Sequence, residues 1–592
     1  MKPTKKSCAE IIVDFLVDKK IDRVFDLSGG MIAFMEDAIS NRDGIDCFPM
    51  HHEQAAGFAA EGYARMNQNF GVAMATSGPG AMNLMTAIGS SYFDSIPTMF
   101  IVGQVHAENI KKREHVRQEG FQETDIVSVS KPVSKYAVQV LDPSMLVYEL
   151  EKSHFIMKSG RSGSVVIDIP INIQRTEVEV ASLMHFIGSS EHAEMMKASD
   201  RHSVEQVEEK VQQLEELLKN SRAPLAIIGN GVRLSDTADA LADFVRRNNL
   251  PVVTSLLGVD SFEYGERLVG FIGSNGNREA NIAFANADLI IALGTRLDMR
   301  QTGDPKFFNP AATVVHVDID KHSLNYAIKS ALTFEMHLTD FFAAAQKIET
   351  PEKAAWFSFI RSVRSQFARP FIYSPDKVDP NTFIHELSSA ASPAAVVVVD
   401  VGQNQMWTAQ SWKIKKGQRL LFSGGMGAMG FSLPAAIGAW CAGSGPEIIS
   451  VCGDGGFQIN IQEMETVSRN NIPLKLFILN NNSLGMVREF QDLYFNKNYQ
   501  STVVGYGCPD LKKIANAFDF EYLRIEGLDK DDPALKGVLQ SKKPVLIEVT
   551  IDMLAALQPK IVYGHALDDQ APYLDEAQKK TLEKLKSDLQ AS

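Results

Sequence analysis

The chain has 592 residues, a formal net charge of −13 at pH 7, 45% hydrophobic residues and 22% charged residues. At about 100–200 residues per domain, this length predicts three to five domains of ordinary globular composition. Nucleic acids and anionic membranes are bound by clustered Lys and Arg, so the acidic balance argues against both kinds of partner. A small anionic substrate needs only a local positive site and is not excluded.

The chain has five scattered cysteines, none in a CxxC pair: Cys8, Cys47, Cys441, Cys452 and Cys508. This pattern favours reduced thiols, as in a cytosolic protein. The N-terminal stretch is charged and then amphipathic, and it lacks the apolar core of a signal peptide. No stretch reaches the roughly 20 consecutive apolar residues of a membrane span. We therefore expect a cytoplasmic protein without a membrane partner.

Three α/β blocks follow one another along the chain. In the first block, strand-like runs alternate with helical patterns, at residues 24–27, 70–78, 98–103 and 163–170. A polar stretch near 181–203 is typical of a linker. An amphipathic helix opens the second block, with one apolar stripe formed by Val204, Val207, Val211, Leu214, Leu217 and Leu218. Strands of this block are predicted at 224–231, 252–255, 288–294 and 313–320.

The third block follows a proline-containing polar region, and its strands are predicted at 396–402, 447–456, 474–482 and 544–550. Near-continuous Val, Ile and Leu runs indicate strands covered on both faces, and their alternation with helices indicates parallel sheets. The predicted fold is therefore α/β, with three doubly wound parallel-sheet domains at residues 1–185, 200–350 and 375–560. The tail, 561–592, is expected to be a charged surface helix or a frayed end.

A Gly-Asp-Gly-Gly turn, residues 453–456, directly follows one apolar strand, and Asn480-Asn481 ends the next strand. The carboxyl ends of neighbouring parallel strands meet at one sheet edge, where doubly wound folds bind ligands. The Asp454 carboxylate and the Asn481 side-chain carbonyl can therefore reach one hard cation, such as Mg²⁺ bound to a phosphate. The alternative is a plain turn and an Asn-rich loop. Three glycines let the backbone approach the phosphate: Gly453, Gly455 and Gly456.

This turn and the Asn pair resemble the thiamine diphosphate signature of the pyruvate decarboxylase and acetohydroxyacid synthase superfamily. HEQAAGFAAEGYAR, 52–65, and TSGPGAMN, 76–83, resemble two further segments of that superfamily. The resemblance implies that the Glu53 carboxylate contacts N1′ of the cofactor's aminopyrimidine and promotes formation of the reactive ylid. Without the resemblance, Glu53 is an ordinary first-turn glutamate. One subunit of this superfamily supplies the Glu and another the metal site, which implies a homodimer or a dimer of dimers.

The resemblance covers about residues 7–553 and is closest to acetohydroxyacid synthase. SGGMGAMGFSLPAAIGA, 423–439, resembles the family's loop under the cofactor, which implies that the Gly427 carbonyl receives the 4′-amino group and that Met429 supports the bent cofactor. GQNQMW, 402–407, resembles the family's GQHQMW near the diphosphate, with Asn404 replacing a His as a donor to the anion. Further implied cofactor contacts are Gly402, Gln403, Gly485 and Met486, and Ser483 joins Asp454 and Asn481 as a metal ligand.

In the middle block, the segments 228–233, 270–281 and 293–303 resemble FAD-binding segments of acetohydroxyacid synthase. The resemblance implies a mainly structural FAD beside thiamine diphosphate and Mg²⁺, although other family members hold ADP here or leave the domain empty. Glycine-rich turns alone are weak support, because ordinary turns use the same residues. The implied flavin contacts are Gly229, Gly231, Gly273, Arg296 and Asp318.

FQETD, 121–125, resembles a family segment that lines the reaction chamber, which implies chamber roles for Phe121 and Gln122. Arg300 stands where the family has an arginine that can pair with the acceptor's carboxylate. The chain departs from the family in a longer segment at 108–120, in Asp26-Leu27-Ser28 where the family has Gly-Tyr-Pro, and in Phe490 where the family has Trp.

The sequence therefore predicts a thiamine-diphosphate-dependent decarboxylating carboligase similar to acetolactate synthase. Pyruvate is the expected donor, and its two-carbon unit passes to a 2-keto acid or another carbonyl acceptor. The departures keep open a keto-deoxy sugar as the acceptor. A simple 2-keto acid decarboxylase, which needs no FAD, is the other enzymatic alternative, and the intact Glu53, Asp454 and Asn481 argue against a non-catalytic relative.

Overall fold

A computed structural model describes residues 5–111, 115–199, 204–443, 447–562 and 564–591. It contains three parallel sheets of six strands, one in each predicted block, so the predicted α/β architecture is confirmed. The predicted domain boundaries stay predictions. In the described part of the chain, no helix is long and apolar enough to cross a membrane.

The first unit carries the first sheet. Its elements are β1 (Lys5–Ser7), α1 (Cys8–Asp18), β2 (Arg23–Leu27), α2 (Ala33–Ser40), β3 (Asp46–Pro49), α3 (Glu53–Asn67), β4 (Gly71–Ala75), α4 (Pro79–Asn83), α5 (Met85–Asp94), β5 (Thr98–Gln104), α6 (Ile126–Ser130), β6 (Tyr136–Gln139), α7 (Leu146–Lys158), β7 (Ser164–Pro170), α8 (Ile171–Arg175), β8 (Glu177–Glu179) and α9 (Ser190–Ser199). The strand order is β3-β2-β4-β5-β7-β6, and β1 pairs antiparallel with β8 apart from this sheet. The carboxyl ends of β2, β3 and β4 lie side by side, so the segments that follow them share one sheet edge.

The second unit carries the second sheet. Its elements are α10 (Val204–Asn220), β9 (Pro224–Ile228), α11 (Gly231–Leu234), α12 (Ala238–Arg247), β10 (Val252–Thr254), β11 (Leu268–Phe271), α13 (Arg278–Asn286), β12 (Leu289–Leu293), α14 (Met299–Thr302), β13 (Thr313–Asp318), β14 (Leu332–Glu335), α15 (Leu338–Ala344) and α16 (Ala354–Phe367). The strand order is β11-β10-β9-β12-β13-β14.

The third unit carries the third sheet. Its elements are α17 (Pro380–Ala390), β15 (Val396–Val399), α18 (Gln403–Ser411), β16 (Arg419–Phe422), α19 (Ser432–Cys441), β17 (Ile448–Gly453), α20 (Asp454–Ile459), α21 (Glu463–Arg469), β18 (Lys475–Asn480), α22 (Gly485–Tyr494), α23 (Leu511–Ala517), β19 (Glu521–Ile525), α24 (Pro533–Gln540), β20 (Val545–Thr550), β21 (Lys560–Ile561), β22 (Gln570–Ala571) and α25 (Glu576–Ala591). The strand order is β16-β15-β17-β18-β20-β19.

Helices α3 and α19 join the first unit to the third, and they pack so closely that glycine is required at their crossing. A Cβ atom at Gly438 would lie 1.8 Å from the Ala59 carbonyl oxygen, and one at Gly62 would lie 2.1 Å from the Ala435 carbonyl oxygen. Buried residues of both helices belong to one continuous apolar core. The two units that bear the predicted cofactor residues are therefore held together rigidly within one chain.

Two local expectations were wrong. The polar stretch near 181–203 is not a plain linker, because α9 occupies part of it, while residues 200–203 lie outside the described residues. The helical segment between the Gly-Asp-Gly-Gly turn and the Asn pair is two helices, α20 and α21, which a turn at residues 460–462 separates. In the tail, α25 is the charged surface helix that was one of two expectations, and it buries Leu582 against the second unit.

Candidate active site

Glu53 is the first residue of α3 and follows β3, at the edge where the first sheet's carboxyl ends meet. Its carboxylate is buried and accepts a 2.9 Å hydrogen bond from the side-chain amide of Asn83. A Cβ atom at Gly80 would lie 3.2 Å from Glu53 Oε1, so the 76–80 loop lies directly against the carboxylate. Glu53 is thus held in one orientation by a loop of the same unit.

Gln122 and Phe121 lie beside the same loop. Gln122 has a φ of 66°, and a Cβ atom at Gly78 would come within 2.9 Å of its Cβ. The neighbouring Phe121 side chain is 80% exposed, which is unusual for a large aromatic group. The structure therefore brings Glu53 and Gln122 together around the loop, with an uncovered aromatic ring next to them. Of the longer segment 108–120, residues 112–114 lie outside the described residues.

Asp454 and Asn481 meet at the carboxyl edge of the third sheet, where Gly453 of β17 pairs with Leu479 of β18. Asp454 is buried, and the Tyr506 hydroxyl donates a 2.7 Å hydrogen bond to its Oδ2. Burial raises the pKa of Asp454 to about 6, although hydrogen bonds from Tyr506 and from the backbone of Asn481 oppose the rise. A bound cation would offset the cost of burying this carboxylate in its charged form.

Ser483 completes the predicted metal set. Its backbone N–H donates a 3.1 Å hydrogen bond to Asn481 Oδ1, and its buried hydroxyl has no hydrogen-bond partner among the described residues. Within the described residues, no group of three or more His, Cys, Asp or Glu side chains could hold a metal ion. The protein would therefore offer one carboxylate together with amide and hydroxyl oxygens, a donor set that suits Mg²⁺ carrying phosphate oxygens as its other ligands.

Glycine backbone surrounds this edge. A Cβ atom at Gly455 would lie 3.4 Å from Met429 Cε, one at Gly456 would lie 2.4 Å from Asp400 Oδ1, and one at Gly485 would lie 1.8 Å from Gln403 Oε1. Gln403 Oε1 also accepts a 2.9 Å hydrogen bond from Asn481 Nδ2. The remaining predicted contacts adjoin these residues: Gly402 directly precedes α18, Gly453 ends β17, and Met486 lies partly exposed in α22.

Asn404 is positioned differently from the expectation that it donates to a diphosphate. Its Nδ2 group donates to the Asp400 carbonyl at 2.7 Å and to the Val451 carbonyl at 3.3 Å. Its Oδ1 atom faces Gly402, since a Cβ atom there would lie 2.7 Å away. The amide donors are used within the protein, so in this structure Asn404 shapes the backbone of the site.

The loop 423–430 connects β16 to α19 and carries Gly427 and Met429. Gly427 has a φ of 65°, in the left-handed region that glycine tolerates. The buried Asp400 carboxylate accepts the backbone N–H groups of Gly430 and Ser432 at 2.9 and 2.8 Å. In the described residues, no hydrogen bond joins Glu53 directly to Asp454, Asn481 or this loop.

A cavity of about 370 Å³ adjoins the second sheet, and its lining includes four of the residues that the sequence analysis singled out in the middle block: Gly231, Arg296, Arg300 and Asp318. Arg161 and Lys158 add positive charge, and burial raises the pKa of Asp318 to about 6. Cationic groups suit a diphosphate, and a carboxyl group suits sugar hydroxyls, so the lining fits a dinucleotide. Gly229 and Gly273 act through packing, because Cβ atoms there would meet the carbonyl oxygens of Gly294 and Arg300 at 2.3 and 2.1 Å.

Sequence reasoning did not assign roles to three residues that hold the predicted ones in place. Asn83 was visible as the last residue of TSGPGAMN, so its spacing from Gly80 could have identified it. Tyr506 lies in a loop without a recognisable pattern. Glu489 accepts a hydrogen bond from Gln403 and forms a 2.6 Å ion pair with Lys560, and nothing in the sequence relates these three positions.

The protein has three parallel sheets, a buried carboxylate at the edge of the first sheet, and oxygen ligands suited to a cation at the edge of the third sheet. This is the arrangement of thiamine diphosphate enzymes. Family models agree: the N-terminal thiamine pyrophosphate (TPP) binding domain matches residues 6–129, the central domain of these enzymes matches 211–344, and the C-terminal TPP binding domain matches 400–549.

Curated relatives refine this class. The chain is 33% identical to the acetolactate synthase large subunit of Lactococcus lactis subsp. lactis over 96% of both chains. It is 32% identical to the isozyme 2 large subunit of Escherichia coli K12, over 94% of this chain and 97% of the relative. A probable acetolactate synthase large subunit of Methanocaldococcus jannaschii is 32% identical, over 93% and 92%. The chain therefore belongs to the acetolactate synthase family of thiamine pyrophosphate enzymes and is an acetolactate synthase-like carboligase.

Proposed function

We propose that the enzyme decarboxylates pyruvate and joins the remaining two-carbon unit to the carbonyl carbon of a second 2-keto acid. In this reaction CO₂ leaves pyruvate, a carbon–carbon bond forms, and the acceptor's carbonyl oxygen takes up a proton. Bound thiamine diphosphate supplies the carbon nucleophile and the sink for the electron pair that CO₂ leaves behind. The observation that carries the proposal is the buried Glu53 carboxylate, oriented by Asn83 and by the loop at Gly80.

Each half of the site has its own task. Glu53 would share a proton with N1′ of the aminopyrimidine, and burial strengthens such a hydrogen bond because the local dielectric is low. Asp454, Asn481 and Ser483 would hold Mg²⁺ on the diphosphate, as the buried carboxylate and the unpartnered Ser483 hydroxyl support. Phe121 and Gln122 would bound the space in which the acceptor meets the donor.

A second copy of the chain would complete the site. Among the described residues no hydrogen bond joins Glu53 to Asp454, and Phe121 offers an uncovered ring beside Glu53. Helix α22, which follows Asn481, exposes apolar side chains that an isolated chain would leave in water: Val487 at 52%, Phe490 at 52% and Leu493 at 49%. Exposed apolar patches of this kind mark protein interfaces, so we propose that the enzyme is at least a homodimer.

We further propose that FAD fills the middle cavity in a structural role, as the Gly231, Arg296 and Asp318 lining supports. A purified protein with bound flavin absorbs visible light, and denaturation releases a flavin that chromatography identifies. A simple 2-keto acid decarboxylase would need no such group. Colourless protein that takes up no added FAD would contradict this part of the proposal.

One observation favours a hydroxylated acceptor, such as a keto-deoxy sugar, as a second candidate. The exposed Ser28 donates a 3.0 Å hydrogen bond to Glu36. The adjoining Gly29 packs against Thr76, because a Cβ atom at Gly29 would lie 2.5 Å from the Cβ of Thr76. Thr76 in turn adjoins Gly80, which contacts Glu53. A hydroxyl and a carboxylate therefore stand close to the Glu53 half of the site, and such groups suit hydroxyl recognition.

The test is incubation of the protein with pyruvate, thiamine diphosphate and Mg²⁺, followed by detection of acetolactate and acetaldehyde. Glu53→Gln should lower turnover by at least about a hundredfold, the usual contribution of a positioned acid–base group, while thiamine diphosphate still binds. The exposed Glu179 of the same unit provides a surface control as Glu179→Gln, which should leave turnover unchanged. Full activity of Glu53→Gln would overturn the mechanism, and acetaldehyde without acetolactate would replace ligation by simple decarboxylation.

A further inference from the structure

The 423–430 loop, which carries Gly427 and Met429, is fixed at both ends by buried carboxylates. At its far end Asp400 of the same unit accepts the N–H groups of Gly430 and Ser432. At its near end the carboxylate comes from the first unit: Asp94 accepts the Gly425 N–H at 2.6 Å and the Gly424 N–H at 3.0 Å. The segment between these anchors is the part that the family resemblance places under the cofactor.

Asp94 is itself rigidly held. It is the last residue of α5 and is buried, and its Oδ2 atom accepts a 2.7 Å hydrogen bond from Arg65. Arg65 is fixed in turn by two hydrogen bonds to Glu61, at 2.6 and 3.1 Å. The loop approaches closely, because a Cβ atom at Gly425 would lie 2.7 Å from Phe93 Cβ and 3.0 Å from Asp94 Oδ1.

Asp94 also reaches the second unit. Its backbone carbonyl accepts a 2.9 Å hydrogen bond from the Asn230 side chain, which precedes α11. Asp94, Gly424 and Gly425 form part of the wall of the middle cavity, together with Asn230. A single carboxylate therefore lies where the cofactor loop, the first unit and the wall of the cavity meet.

We propose that Asp94 is a positioning residue for thiamine diphosphate, and that it links the geometry of the 423–430 loop to the filling of the middle cavity. Charge-assisted hydrogen bonds from two adjacent backbone N–H groups fix the direction of the loop. A ligand in the cavity would pack against the backbone of Gly424 and Gly425, which line its wall. This packing would restrict the movement of the two glycines. Coupling of this kind is reciprocal, so each ligand should strengthen binding of the other. The link rests on the proposed occupancy of the cavity by FAD, whereas the positioning role does not.

Asp94→Asn tests the positioning role, with Glu61→Gln as the matched control. Both variants remove a charge that pairs with Arg65, but only Asp94 contacts the loop. In flavin-free protein with Mg²⁺, Asp94→Asn should raise the Kd of thiamine diphosphate about tenfold and lower kcat, while Glu61→Gln stays within about twofold of wild type. An unchanged Kd in Asp94→Asn, or an equal rise in both variants, would overturn the role. If Asp94→Asn does not fold, Gly425→Ala tests the same contact from the loop side.

The link is tested by measuring the Kd of thiamine diphosphate with and without saturating FAD. FAD should lower this Kd about fivefold in the wild type and less than twofold in Asp94→Asn. Bound flavin without any effect on the wild-type Kd would overturn the link alone. A wild type that binds no flavin would overturn the proposed occupancy and the link together, and the flavin-free Kd values would still decide the positioning role.

Discussion

The side-chain amide of Asn83, the last residue of α4, donates a 2.9 Å hydrogen bond to the carboxylate of Glu53, the first residue of α3. Glu53 begins α3, Asn83 ends α4, and Gly80 in the first turn of α4 leaves room for the carboxylate. The bond leaves Glu53 Oε1 directed at the loop and prevents the side chain from turning away. Asn83, which the sequence analysis did not assign to the site, therefore orients the Glu53 carboxylate that would contact the aminopyrimidine.

We expect Asn83→Ala to lower kcat about tenfold, because a hydrogen bond to a charged group contributes roughly 1.5–3 kcal/mol and here it would orient the carboxylate. The Kd of thiamine diphosphate should change little, since the metal and diphosphate contacts lie on the other unit. Steady-state kinetics at saturating cofactor measures the effect. Asn41→Ala removes an exposed amide from the same unit as a control. Equal kcat in both variants would show that Asn83 does not orient Glu53.

Metal binding should weaken in acid because of Asp454. Burial raises the pKa of Asp454 to about 6 in the metal-free protein, and only the ionised carboxylate binds a cation. Below pH 6, the affinity for Mg²⁺ should fall about tenfold per pH unit as protons compete. Because the folded pKa lies above the ordinary value, the metal-free fold becomes more stable as pH falls through 6, the reverse of the usual Asp effect. Calorimetric titration of Mg²⁺ in the presence of thiamine diphosphate would test this, and constant affinity down to pH 5 would contradict it.

Tyr506→Phe should move that pH dependence upward. The Tyr506 hydroxyl donates to Asp454 Oδ2 and lowers its pKa, so the loss of this donor raises the pKa further. The same Mg²⁺ titration, repeated on the variant, should show half-loss of affinity at a higher pH than in the wild type. Tyr522→Phe, a loss of a hydroxyl that bonds to Glu548 in the same unit, is the matched control. A shift of the same size in both variants would exclude a specific role for Tyr506.

The α3–α19 crossing predicts a large effect of one added methyl group. Gly438→Ala places a Cβ atom 1.8 Å from a backbone oxygen, which cannot move as a flexible side chain can. Overpacking of this kind costs about 1–3 kcal/mol of unfolding free energy. Gly537→Ala is the control, because it lies within α24 with nothing within 4 Å of its Cβ position, and alanine favours a helix. Urea denaturation should show a lower midpoint for Gly438→Ala only, and equal midpoints would contradict the close packing.

The central strands of all three sheets were predictable because they are buried on both faces and form nearly continuous apolar runs, from GVAMA in β4 to KLFILN in β18. Several strands at or near the sheet edges were not predicted, for example β6 and β19. These are short and partly exposed, with sequences YAVQ and EYLRI that have no continuous apolar run. The break at Asn460 was also missed, because its reason is tertiary: the Asn460 side chain donates a 2.8 Å hydrogen bond to the Gly430 carbonyl.

Some residues of the candidate site could likewise be predicted from the sequence, and others could not. Motif residues such as Glu53, Asp454 and Asn481 could be identified because each follows a strand at a sheet edge, and chemistry limits the residue types there. Two supporting residues lie far from their partners in sequence and become visible only after folding: Tyr506, which bonds to Asp454, and Asp94, which bonds to the 423–430 loop. Asn404 shows the converse, because its type permits a bond to an anion but the fold directs its donors to backbone carbonyls.

The proposed homodimer, in which Glu53 of one chain and Asp454 of the other form one site, predicts that two inactive variants can restore each other. In a mixed dimer of Glu53→Gln with Asp454→Ala, one site carries both substitutions, and the other combines an intact Glu53 with an intact Asp454. Random exchange of subunits makes half of the dimers mixed, each with one working site, so activity should return to about a quarter of the wild-type value. Acetolactate formation after unfolding and refolding the two variants together measures this, and each variant refolded alone is the control. No recovery, with mixed dimers demonstrated by differently tagged chains, would mean that both residues act within one chain.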